Sequence, residues 1–88
     1  MKEISELTDM DRALESAIIE LLSRRATGKT ICPSEAARLL DRENWEELME
    51  QARGAARRLA AQGEIVITQR GKVIEPSTTK GPIRLRRV

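Results

Sequence analysis

The side chains best equipped for chemistry in this 88-residue chain are its cations, and they are unevenly spread. Residues 1–50 carry 12 acids and 7 bases, whereas residues 51–88 carry 2 acids and 9 bases, so a net charge of +2 conceals an acidic front half and a basic back half. Arg70, Lys72, Lys80, Arg84, Arg86 and Arg87 crowd the last part of the chain with only Glu75 among them. Cations gathered in this way neutralise phosphates and release the counterions around them, which makes a polyanion the natural partner. The plainer account is that exposed sheet edges carry Lys and Arg to block aggregation. Catalytic chemistry is poorly provided for. With no histidine there is no Ser–His or Cys–His pair, and a single cysteine allows no internal disulfide and leaves a structural zinc without its usual ligands. Carboxylates are plentiful but scattered over helix surfaces. No enzymatic activity, cofactor or metal is therefore expected.

Those cations must be positioned by elements that the sequence also announces. From Asn44 onwards it reads as one long helix, with Asn44 as cap, Glu47 answering it, and Leu48, Ala52, Ala55 and Leu59 on one face. Gly63 supplies a left-handed stop. The period then turns to alternation in Glu64-Ile65-Val66-Ile67-Thr68-Gln69, and a turn at Arg70-Gly71 leads back through Lys72-Val73-Ile74-Glu75. Upstream, Thr8 with Asp11 caps a first helix whose Leu14, Ala17, Ile18, Leu21 and Leu22 keep the helical spacing, with Arg24 and Arg25 in its last turn and Gly28 closing it. Lys29–Cys32 suits a brief strand, and Pro33 opens a short second helix containing Glu35, Ala36, Ala37, Leu39 and Leu40. A short helix, a brief connection and a longer helix ending in a basic-tipped hairpin form a winged helix-turn-helix. The expected class is α+β: three helices with a small antiparallel sheet.

Residues 1–8 read as a leader, from which Ile4 and Leu7 have the option of packing on the domain, and residues 9–88 as the domain itself. The leader has no apolar run, so neither a signal peptide nor a membrane anchor is expected and the setting is cytoplasmic. A chain of this length buries only about 60–65% of its extended surface. Without Phe or Tyr, its core must come from Leu, Ile, Val, Ala and Met. After Pro76 the composition is that of a loop, and alternation resumes in residues 83–88, with Ile83 and Leu85 inward and Arg84 and Arg86 towards water.

The candidate contacts follow from this layout. On the third helix Arg53 and Arg57 face outward with Glu46 and Glu50, within reach of guanine or phosphate, or, in the plainer reading, as a solvated face with a Glu50–Arg53 pair worth about 0.2–0.5 kcal/mol. Ser34 and Arg38 lie in the first turns of the second helix, where backbone amides meet phosphates. Arg70, Lys72, Lys80, Arg84 and Arg86 would share one outward β-ribbon surface along a phosphate backbone. Cys32 reads as a small apolar filler rather than a redox thiol, and Trp45 as a rim residue rather than a base-stacking platform.

Four segments carry a resemblance: residues 28–38 (GKTICPSEAAR), 55–60 (AARRLA), 67–72 (ITQRGK) and 81–86 (GPIRLR). Over residues 14–87 the chain resembles a small bacterial family described only as a domain of unknown function. The resemblance implies a winged helix and a bacterial, cytoplasmic setting, and it brings no activity with it. It also implies basic residues and a proline around positions 45–50, where this chain has Glu46, Glu47 and Glu50. The expected function is duplex DNA binding led by the wing and tail, assisted by Arg53 and Arg57. The alternative, from a different class, is a protein-interaction module using the acidic front of the third helix and the first helix as its docking face.

Overall fold

The computed structural model describes residues 7–78 and 80–88. The expectations placed on residues 1–6, including packing by Ile4, and on loop residue 79 lie outside the described residues.

The first helix, α1, spans Asp9–Ser23. Thr8 Oγ1 accepts from the Asp11 amide at 3.0 Å and the Asp11 carboxylate accepts from the Thr8 amide at 2.9 Å, a reciprocal cap. Its buried stripe is Leu14, Ala17, Ile18 and Leu22. The helix ends earlier than its spacing suggests. The amides of Arg24 and Arg25 fold back to the carbonyls of Leu21 and Leu22, at 3.2 and 3.1 Å, so the last turn closes without a left-handed glycine. Arg24 and Arg25 therefore lie past the last turn, and Gly28 belongs to the connection that follows.

Strand β1 is Thr30–Ile31 and helix α2 is Pro33–Leu40, with proline in its first turn. Glu35 fixes this junction: one carboxylate oxygen accepts from the Cys32 amide at 3.0 Å, and the other pairs with Arg25. Beyond α2 the expected Asn44 cap is absent. The Asp41 carboxylate takes the amides of Glu43 and Asn44, at 3.2 and 3.0 Å, and residues Trp45–Leu48 form a 3-10 turn. Helix α3 consequently starts at Met49 and runs to Ala61. Its end follows the sequence closely. Gly63 takes φ +80°, with its amide on Ala60 O at 3.0 Å and the Glu64 amide on Leu59 O at 2.9 Å, a Schellman closure.

Strands β2 (Ile65–Gln69) and β3 (Lys72–Ile74) form the hairpin, and Arg70 and Gly71 both take positive φ, +55° and +82°. That backbone twists with the strands, which is why a two-residue turn fits here. Where a plain loop was expected after Pro76, residues Pro76–Thr78 make a 3-10 turn before strand β4, Arg84–Arg87. The sheet order is β1-β4-β2-β3 with every pair antiparallel. The last strand thus inserts between the first strand and the hairpin, and one sheet results.

The helices cover one face of this sheet. Leu14, Ile18, Leu22, Ile31, Leu59, Ile65, Ile67, Ile83 and Leu85 are buried there beside Ala36, Ala37, Ala52, Ala55 and Ala56. Without Phe or Tyr to fill space, alanines at the helix contacts let the backbones approach and close the core.

Candidate nucleic-acid interface

Strand alternation and register decide which way each wing cation points. Ile67 pairs with Leu85 and with Ile74, so these three share the helix-covered face. The neighbouring rows, Thr68 with Arg84 and Val73, and Val66 with Arg86, lie on the opposite, open face. Arg84 is exposed and Arg86 half-buried there, as the alternation in residues 83–88 predicts. Lys72 departs from the expected shared surface. It pairs with Gln69, two residues from Ile67 and Ile74 on their strands, which places it on the helix side of the sheet. Arg70 stands at the turn itself, exposed.

Two residues that the sequence reading did not single out shape this surface. Thr30 on β1 accepts from Arg84 twice: Nε donates to its hydroxyl at 2.9 Å and a terminal nitrogen donates to its carbonyl at 3.3 Å. Arg84 is thereby held across the open face, and its guanidinium has more N–H groups than these two bonds use. Gln69 binds the loop after the second 3-10 turn, donating through Nε2 to the carbonyls of Lys80 and of Pro82, the latter at 3.0 Å. This fixes the segment that carries Lys80. The signal for Gln69 was present in the sequence, as a polar residue at a position where alternation calls for an apolar one.

The helix-borne candidates are engaged locally. The Arg38 guanidinium stacks over the Trp45 ring, 4.2 Å from its centroid, while Trp45 packs on the core rim as expected. Ser34 is half-buried and its hydroxyl donates to Cys32 Sγ at 3.1 Å. Arg53 and Arg57 sit half-buried on α3. The anticipated Glu50–Arg53 pair is replaced by Glu50 with Arg57 at 3.7 Å, two turns apart, and Glu50 is 87% exposed, so this pair adds little. Arg58, not among the candidates, pairs with Glu15 across the α1–α3 contact, and Gln51 donates to the Asp11 carboxylate at 3.1 Å. The amide of Thr8, with the side chains of Gln51 and Thr8, holds the Asp11 carboxyl below its ordinary pKa, and Arg58 adds to this.

The ion pairs among the described residues join Arg24 to Glu20, Arg25 to Glu35, Arg57 to Glu50 and Arg58 to Glu15. None of them involves Arg70, Lys72, Lys80, Arg84, Arg86 or Arg87. Among the described residues no group of three or more His, Cys, Asp or Glu is arranged to hold a metal ion, and no helix is long and apolar enough to cross a membrane.

Three helices, a small antiparallel sheet and a hairpin with a cationic tip define an α+β protein of the winged-helix class. The family described as "Protein of unknown function (DUF3253)" matches residues 11–88, and the chain belongs to it. No curated protein matches the sequence.

Proposed function

We propose that this domain binds duplex DNA through its wing and C-terminal strand. One observation carries the reading: Arg84 and Arg86 stand together on the open face of the sheet, with Arg70 at its tip, and the ion pairs described above join other residues. A β-ribbon with such a face suits the sugar-phosphate backbone, which supplies most of the affinity in protein–DNA contacts. Arg53 and Arg57 on α3, like Lys72, stand on the helix side of the sheet and reach the duplex only from beyond the wing. Ser34 and Arg38, engaged with Cys32 and Trp45 in the helix layer, lie outside this surface. With about 4–6 phosphates engaged, affinity falls roughly 10²–10³-fold between 50 and 200 mM salt. Titration of a labelled duplex at both salt levels reads this directly, and absence of saturable binding at the lower one rejects the proposal.

A second reading is favoured by a different observation. Leu39 and Leu40 are 48% and 37% exposed at the end of α2, beside exposed Glu46 and Glu47 on the 3-10 turn. An apolar patch edged by acid suits a protein partner with a basic rim. Amide-shift mapping separates the two: DNA moves residues on the wing and β4, whereas a protein partner on this patch moves residues 39–48.

A further inference from the structure

Between the wing tip and the loop leading into β4 lies a concavity of about 510 Å³, lined by Gln69, Arg70, Lys80, Gly81, Pro82 and Arg84. We propose that it is a binding site for a phosphomonoester, carried either on a small sugar phosphate or on the end of a nucleic-acid strand.

Three basic residues from three separate segments line this space, and no carboxylate does. Arg84 lines the space with its guanidinium held by Thr30 on the neighbouring β1, so less rotamer freedom is lost when the N–H groups not used there meet an anion. Lys80 stands on a loop held by the Gln69 amide. Gly81 takes φ +76°, a left-handed backbone that glycine adopts without strain as the loop passes Gln69. Because Gln69 Nε2 is spent on two carbonyls, Gln69 shapes the wall while the arginines and lysine supply the donors. Three positive charges match a phosphomonoester near neutrality, which carries close to two negative charges and three acceptor oxygens; a phosphodiester offers one charge and two free oxygens. The volume falls in the range of small-ligand pockets and leaves room for the sugar attached to the phosphate. The site shares cations with the duplex surface but depends on a different ligand, so either stands without the other.

The test is an amide-shift titration of the whole chain with inorganic phosphate, followed by ribose 5-phosphate against ribose, and a hairpin duplex with a 5′-phosphate against one with a 5′-hydroxyl. Saturable phosphate shifts are expected at residues 69–71 and 80–84. Arg70→Asn, chosen because asparagine tolerates a left-handed backbone, and Lys80→Gln should each weaken phosphate binding about tenfold, while Arg42→Gln, far from the site, leaves it unchanged. A tenfold preference for the phosphorylated duplex end assigns the ligand to strand termini, and a gain confined to ribose 5-phosphate assigns it to free sugar phosphates. Phosphate shifts that fail to saturate, lie elsewhere, or weaken equally in Arg42→Gln overturn the site. Should Arg70→Asn unfold, Lys80→Gln on the exposed loop decides alone. Binding of the 5′-hydroxyl duplex reports separately on the duplex surface and does not bear on the pocket.

Discussion

Arg86 and Asp11 show how differently two charged residues are used in this chain. Arg86 lies on the open sheet face opposite Val66 and Thr30, with no described carboxylate to neutralise it. Arg86→Gln should weaken duplex binding at low salt and make the slope of log affinity against log salt shallower by about one, read by the same duplex titration at several salt levels. Asp11, in contrast, is spent on the fold: it completes the α1 cap and accepts from Gln51 on α3. Its pKa is lowered on folding from a value of 3.8, so its contribution to stability is fully present above about that pH and fades as pH falls through the lower folded value. Asp11→Asn should therefore unfold more easily than the parent near neutrality, and the gap should narrow in strong acid. Urea midpoints measured from pH 7 down to pH 2 check this.

Among the elements, α3 and the hairpin depend most on a single backbone position. Gly63 ends α3 at φ +80°, and a Cβ built there meets nothing within 4 Å, so substitution costs only backbone strain. Gly63→Ala should destabilise by about 1–2 kcal/mol and lower Tm by several degrees without altering the core, as thermal melts and an amide spectrum would report. The entry to α3 is built differently from its exit. Its exit is written in one residue, whereas its entry rests on Asp41, the 3-10 turn and Arg38 over Trp45, all contributed by the stretch before it. Asn44 and Glu47 have the right types for a cap, yet Asp41 reaches the loop amides first and the chain tightens into a 3-10 turn. For the same reason the end of α1 could not be placed from Gly28 alone: a closure by the amides of Arg24 and Arg25 leaves no mark in residue type.

At the scale of the whole molecule, closure depends on helices packing through small buried residues, Ala17 on α1 and Ala52, Ala55 and Ala56 on α3. Ala55→Leu should overpack the core at α3 and cost about 1–3 kcal/mol, seen in a urea titration, even though leucine is a good helix former. The apolar stripes, the glycine stop, the two-residue turn and the segregation of charge were all readable from the chain, because each is a signal carried by contiguous residues. From them the sequence determined that this is a three-helix winged domain with a cationic back half. Which cations act together was decided only in three dimensions. Lys72 and Arg84 lie in neighbouring basic segments, yet they face opposite ways because β4 pairs between β1 and β2, and that register is set by the burial of Ile31, Ile67 and Leu85. Arg58 on Glu15, Arg84 on Thr30 and Gln69 under the Lys80 loop likewise join residues distant in sequence. A local pattern fixes which face of an element is apolar, but the pairing of distant elements waits on the core they close together, and the anion-facing surface is a product of that closure.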